Sequence, residues 1–256
     1  MKIAIDAGHG DIKYTAGKRT PDGYAEHWAN VMVASYFAQA MDRCGVPYIK
    51  TGWNDDNATD DVDTALSTRQ KQIKAAKCDY SISFHFNAYG DGKTYNGAQG
   101  IETLISNKYP ADSKRLAECI QKYLIKGTKQ TNRGVKTQSL AMCNCSVMGT
   151  KASVLIECGF MTNEYEAKLM QSHAFCKECA EEAAQGFCEY AGIKYVPAGN
   201  TAVIAPATQS QTYVVQKGDT LSGIGRKFNV KWQDIALKNN IKSPYTIRVG
   251  QKIIIK

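Results

Sequence analysis

Tyr80-Ser81-Ile82-Ser83-Phe84-His85 alternates apolar and polar side chains without a break, the period-2 pattern of a β-strand, and ends on a histidine. Outward from it the same plan recurs. Lys2–Asp6, Pro47–Lys50 and Ile101–Ile105 read as strands, and Ser153–Glu157 as an apolar, buried one. Between them run helical patterns. Residues 24–44 carry Ala25, Trp28, Ala29, Met32, Phe37 and Met41 near helical spacing, and 66–77, 111–126 and 163–191 follow suit. Strands alternating with helices predict an α/β fold, a three-layer domain with a mostly parallel central sheet flanked by helices.

The chain has 256 residues, 43% hydrophobic and 22% charged, the balance of an ordinary globular protein. No apolar run approaches the roughly 20 residues that span a bilayer, so no membrane insertion is expected. Met1-Lys2-Ile3-Ala4-Ile5-Asp6 enters a strand at once and leaves no room for a secretory signal. The expectation is synthesis in a cytoplasm. Nine cysteines then read as reduced thiols, several of them inside apolar patterns. Cys143-Asn144-Cys145 and His173-x-x-Cys176-x-x-Cys179 have half-site spacings, but no partner pair stands nearby in sequence.

Charge is uneven. Residues 212–256 carry +7 of the net +8, and a basic terminal module on a near-neutral body implies an anionic partner. No nucleic-acid motif accompanies it, so nucleic acid is not the expected partner. Residues 196–211 hold no charge and are rich in Ala, Thr, Pro and Gly, the composition of a linker. The expected division is a large α/β domain over 1–195, a linker over 196–211 and a small domain over 212–256.

Functional side chains of open α/β sheets gather at strand ends. Here one strand runs into Asp6-Ala-Gly-His9-Gly10, a second into His85-Phe-Asn87 and a third into Glu157-Cys-Gly159. Two histidines and a carboxylate are a common N/O ligand set for catalytic zinc, which keeps a further position for water. Taken singly, a strand-end histidine is as well read as structural, and Asp-x-Gly-His-Gly as a tight turn with glycines at positive φ. Glu26 and Asn30 are four apart on one helix face. His27 has ligand chemistry too, but adjacent helical residues point about 100° apart, so Glu26 and His27 cannot share a target.

Together these stretches resemble the zinc-dependent N-acetylmuramoyl-L-alanine amidase family. The matching landmarks are Asp6–Gly10, Glu26–Asn30, Ser83–Ala88, Gly100-Ile101-Glu102, Arg133–Lys136 and Glu157–Asn163, in the family's order. The resemblance implies one Zn2+ held by His9, Glu26 and His85, with Glu157 as catalytic carboxylate. Asn87, Glu102 and Arg69 are candidate substrate contacts, Arg69 being read as an exposed helix residue, either a solvated charge or one with a structural or substrate-orienting role. The implied reaction is hydrolysis of the amide between N-acetylmuramic acid and L-alanine. Glu157 would serve as general base, then general acid. A zinc peptidase acting on stem peptides and a catalytically silent wall-binding protein are the competing readings.

Residues 212–256 resemble a lysin-motif (LysM) domain, from Tyr213-Val-Val-Gln-Lys-Gly-Asp-Thr-Leu-Ser222 to Ile247-Arg-Val-Gly-Gln-Lys-Ile253. Strand, Gly-Asp turn, two helices and strand give the same residues a βααβ reading, with Asp219 or Thr220 as helix N-cap. The resemblance implies peptidoglycan as partner. Gly218, Asp219, Thr220, Leu221, Ile241 and Lys242 would border the glycan groove, largely through their backbone. The whole then reads as a peptidoglycan hydrolase of the phage endolysin or autolysin kind, expected to be made in the bacterial cytoplasm and to act at the cell wall after release.

Overall fold

The computed structural model describes residues 1–198, 212–216, 218–228, 230, 232–239, 241 and 245–255. The chain divides into two compact units, Met1–Gly199 and Asn200–Lys256. The stretch read as a linker lies, from residue 199 on, outside the described residues.

In the first unit β1 (Ile3–Ala7), α1 (Glu26–Arg43), β2 (Tyr48–Thr51), α2 (Leu66–Ala75), β3 (Tyr80–Asn87) and β4 (Ile101–Ile105) come in turn. After them come α3 (Ala111–Leu124), β5 (Asn132–Thr137), α4 (Cys145–Met148), β6 (Ala152–Phe160), α5 (Glu164–Leu169) and α6 (His173–Ala191). One six-stranded sheet has the order β2-β1-β3-β6-β4-β5. β2, β1, β3 and β6 run parallel, β4 lies antiparallel to β6, and β5 runs parallel to β4. The mostly parallel sheet is therefore present, with one reversal. That reversal matters: the starts of β4 and β5 meet the C-terminal ends of β1, β3 and β6 on one edge.

The period-2 alternation sorts each strand between two faces. Ile3, Ile5, Ile82, Phe84, Phe86, Val154, Ile156 and Cys158 enter the main core, which also takes the inner faces of α1, α3 and α6. Residues of the other parity face α2 and α4, where Ala4 packs with Ile73, Met142 and Met148 in a smaller cluster. Ser83, His85, Leu155 and Glu157 belong to this second face. β5 was not among the strands expected from the sequence. Its Asn-Arg-Gly-Val-Lys-Thr has a single large apolar residue, Val135, and lies at the sheet edge.

All nine cysteines are free thiols. Cys176 and Cys179 are buried in the core, and His173 instead hydrogen-bonds Tyr36 at 2.9 Å. Among the described residues no metal-binding cluster forms there. No helix among them is long and apolar enough to cross a membrane.

The second unit pairs β7 (Thr212–Val214) with β8 (Lys252–Ile254), antiparallel, around α7 (Leu221–Phe228) and α8 (Trp232–Lys238). Its small core is Val215, Leu221, Ile224, Ile235, Ala236, Ile253 and Ile255. The βααβ order matches the expectation. Thr220 is the cap: its Oγ1 accepts the Gly223 N–H at 3.1 Å. Asp219 closes the turn before it, accepting Tyr213 Oη–H at 2.8 Å and Gln216 N–H at 2.7 Å. Gly218 sits at φ 91°.

Candidate active site

The site begins where β1 ends. Gly8 and Gly10 take ordinary backbone angles, whereas His9 sits at φ 65°, left-handed for a residue that rarely goes there. The expectation of glycines at positive φ is thus corrected. They are present for space: a Cβ on Gly8 would lie 2.0 Å from the His85 ring, and one on Gly10 2.4 Å from the Asp63 backbone.

His9 is held from behind by Arg69. The guanidinium donates to Thr64 O at 2.8 Å, Asp6 Oδ1 at 3.1 Å, Ala7 O at 2.6 Å, His9 O at 2.5 Å and Asp63 Oδ1 at 3.2 Å. These bonds use all five guanidinium N–H donors. Arg69 is fully buried, so its expected exposure is corrected, and of the roles read for it the structural one fits these contacts. It is a structural cation that pins the His9 loop and pairs with buried Asp6, which also accepts from Thr51 at 2.9 Å and Ser83 at 2.5 Å. Arg69→Met leaves that buried carboxylate without its cation. The expected loss is about 3–5 kcal/mol of unfolding free energy, to be read from urea denaturation. A loss below 1 kcal/mol would contradict the role.

Glu26, the first residue of α1, is 1% exposed. Its Oε2 lies 3.2 Å from His9 Nε2 and its Oε1 3.0 Å from His85 Nδ1. Oε1 also accepts from Phe86 N at 3.1 Å and Asn30 Nδ2 at 3.3 Å. Burial raises the Glu26 pKa, but the two histidines outweigh it and hold the carboxyl well below the usual range. Burial lowers the His85 pKa against the pull of Glu26, which favours the neutral imidazole. The two rings meet edge to face with centroids 4.9 Å apart. One ligand atom from each of His9, Glu26 and His85 can be chosen so that all lie within 4.8 Å of one another. His27 points elsewhere: its buried ring is held between Gly8 O at 2.7 Å and Asp61 Oδ2 at 2.9 Å.

Strand register continues the site across the sheet. His85 pairs with Glu157, and Glu157 with Glu102, so the three form a row on one face of β3, β6 and β4. Glu157 Oε2 is buried with no hydrogen-bond partner among the described residues. Burial, then repulsion from Glu26 and Glu102, pushes its pKa well above the carboxylate range, with Lys18 opposing. Such an orphaned, perturbed carboxylate is a mark of functional sites.

Glu102 has the opposite character. It accepts from Asn87 Nδ2 at 2.9 Å, Arg133 Nε at 2.6 Å and Lys136 Nζ at 2.5 Å. Burial raises its pKa, but Lys136 and Arg133 outweigh that and keep the carboxyl low. Both oxygens are occupied and the residue is buried, so Glu102 braces the wall of the site, held in part by the half-buried Asn87 amide.

Sequence reasoning missed Glu166. It accepts from Gly100 N at 2.8 Å, Gln130 Nε2 at 2.8 Å and Phe160 N at 2.7 Å, tying the start of β4 to the end of β6. The available signal was Asn163-x-x-Glu166, the spacing of a helix capping box. Asn163 does cap α5, accepting from Tyr165 N and Glu166 N at 3.1 Å. The 89–100 loop is fastened to the same strand exit: Tyr89 N donates to Thr162 Oγ1 at 3.0 Å and Asn96 N to Thr162 O at 2.8 Å.

In the second unit Gly218, Asp219 and Thr220 form the turn before α7, with the Asp219 and Thr220 side chains engaged inside it. Leu221 is a core side chain, and Ile241 packs against that core, so both have only backbone to offer a ligand. Lys242 lies outside the described residues.

The chain belongs to the N-acetylmuramoyl-L-alanine amidase family, which matches residues 3–189, and residues 213–256 match the LysM domain. It is similar to the N-acetylmuramoyl-L-alanine amidase LytC of Bacillus subtilis strain 168, 30% identical over 189 residues. That match covers 73% of this chain and 35% of the relative, so it spans about a third of the relative's length. The endolysin of Bacillus phage SPP1 is 31% identical over 141 residues, covering 55% of this chain and 50% of the endolysin. Among solved structures, the N-acetylmuramoyl-L-alanine amidase of Clostridium difficile 630 superposes with a TM-score of 0.64 at 26% identity, over 75% of this chain and 96% of the other.

Proposed function

We propose that this chain is a zinc-dependent peptidoglycan hydrolase of the endolysin or autolysin kind, cutting the amide between N-acetylmuramic acid and L-alanine. Peptidoglycan is also the proposed ligand of its LysM domain. The observation that carries the catalytic reading is the row of His85, Glu157 and Glu102 beside the His9–Glu26 pair.

The donor set fits zinc. It supplies two imidazole nitrogens, one of them in a ring that burial favours as neutral, and a carboxylate kept ionised. Bound there by His9, Glu26 and His85, zinc would supply Lewis acidity, polarising the scissile carbonyl and lowering the pKa of water to about 7. The chain's own residues do the rest. Arg69 and Glu26 hold the two histidines. Glu157, next to His85 in register and without a partner for Oε2, takes a proton from the attacking water. From the same position it can pass that proton to the departing nitrogen.

Digestion of purified cell wall tests this directly. New alanine N-termini matched by free lactyl carboxyl groups support the amidase. New N-termini on other residues indicate a stem-peptide peptidase, and none indicates a wall-binding protein without activity. A chain ending at residue 195, run in parallel, should match the full chain on soluble fragments and fall behind on intact sacculi at low enzyme concentration. Tethering raises local concentration without changing chemistry. Equal rates on sacculi would remove the targeting role from the basic LysM domain.

A further inference from the structure

Arg133 and Lys136 lie on an edge strand beyond the catalytic row, and both reach the same oxygen, Glu102 Oε2, at 2.6 and 2.5 Å. Regular strand geometry does not allow this. Residues three apart point to opposite faces of a sheet. Lys136 shares its face with Glu102, because Gly134 pairs with Glu102 and Lys136 with Leu104. Arg133 has the wrong parity. It is the extra residue of a bulge, since the register steps from Ile101–Asn132 to Glu102–Gly134. Gly134 sits at φ 75° with open space around it, a backbone angle that favours glycine there. Bulges in parallel pairs are rare, and bulges in general re-aim side chains beside active sites.

The bulge brings two cations to one buried carboxylate. Glu102 neutralises one of them, leaving a local +1 on side chains that are themselves 32% and 42% exposed. The Arg133 guanidinium rests on the Phe160 ring, 4.7 Å from its centroid, which fixes its plane. Its Nε is given to Glu102 and Nη1 donates to Gln99 O at 3.3 Å. Nη1 and Nη2 have further donors, and Lys136 Nζ has two beyond the one given to Glu102. This is a preformed receptor for an anion.

Position selects which anion. Across the sheet the order is His9 and His85, then Glu157, then Glu102 with its two cations. The scissile carbonyl belongs on the histidine side, and the nitrogen that takes a proton from Glu157 belongs on the other. Neighbouring strands are about 4.8 Å apart, so the chain leaving from that nitrogen passes over β4 and β5. We propose that Arg133 and Lys136 form a subsite for a carboxylate on the peptide side of the scissile amide, one residue or so beyond the alanine. The enzyme would thereby favour stem peptides whose second residue keeps a free α-carboxylate over those in which it is amidated. This rests on the amidase reading above.

The test uses the full-length, zinc-loaded protein and two soluble N-acetylmuramoyl tetrapeptides differing only in whether that α-carboxyl is free or amidated. The readout is the ratio of kcat/KM for the two. Wild type should favour the free acid by about 10- to 100-fold, the worth of a hydrogen bond to a charged group. Most of that should appear in KM, and it should weaken as salt rises. Lys136→Met and Arg133→Met should each pull the ratio toward one. A wild-type ratio near one overturns the proposal, as does a variant that slows both substrates equally and keeps the ratio, since the cations would then only brace Glu102. Should wild type release alanine-terminated peptide from neither substrate, the amidase reading itself fails, and the subsite with it.

Discussion

Replacing His85 by alanine is expected to cost the protein both its zinc and its activity. The ring is one corner of the cluster, 3.0 Å from Glu26 and stacked edge-on to His9. Its bed is built for it, since Gly8 has no Cβ to intrude. Alanine leaves one imidazole and one carboxylate, too few for the three protein ligands of a catalytic zinc site. Losing a residue that merely orients a ligand lowers metal affinity about 10- to 100-fold, so losing a ligand should exceed that. Elemental analysis after gel filtration should find well under one zinc per chain, and wall lysis should be undetectable. The fold should survive, because His85 sits at a strand end on the face away from the main core. An unchanged circular-dichroism spectrum would document that. A variant with full zinc and full activity would remove His85 from the site and with it the zinc assignment.

The parts of this molecule that were legible in the sequence are those where one periodicity dominates. β3 alternates cleanly because one face meets the large core and the other polar residues, whereas β6 reads as a continuous apolar run because Leu155 packs with Leu104 on its second face. The alternation that reveals a strand says nothing of its direction, so the reversal at β4 was invisible. β5 was invisible for another reason: an edge strand with one large apolar residue has almost no pattern to read. The catalytic row was legible through short motifs at strand ends, whose chemistry shows in residue type alone. What supports the row was not. In Leu-Ser-Thr-Arg-Gln-Lys-Gln-Ile-Lys-Ala, the α2 sequence, only Arg69 and Ile73 are buried, and a lone arginine among polar neighbours reads as solvated. Its burial is decided by carbonyls of the His9 loop and by Asp6, more than 55 residues away in sequence. The convergence of Arg133 and Lys136 depends on a bulge, and a bulge breaks the very periodicity by which strands are read.

Glu157→Gln is the sharper test of chemistry, because it should separate rate from metal and from stability. Glutamine keeps the size of the side chain and cannot carry the proton. Zinc content should stay near one per chain, since Glu157 is not in the His9–Glu26–His85 cluster. Turnover should fall by about 10²–10⁴, the usual worth of a general acid–base group. Stability should move the other way or not at all. The wild-type carboxyl has a buried oxygen without a partner and faces two other carboxylates, so it costs the fold stability at neutral pH. Removing its charge should leave Tm unchanged or higher. A residue that only held the structure together would give the reverse, a lower Tm with rate loss in proportion. Near-normal turnover in zinc-loaded Glu157→Gln would pass the proton work to another group. Glu102 is next in the row, yet Arg133 and Lys136 hold its carboxyl low and occupy its oxygens. It is a poor proton carrier because two hydrogen-bonded cations hold it ionised, whereas Glu157 Oε2 has no hydrogen-bond partner among the described residues.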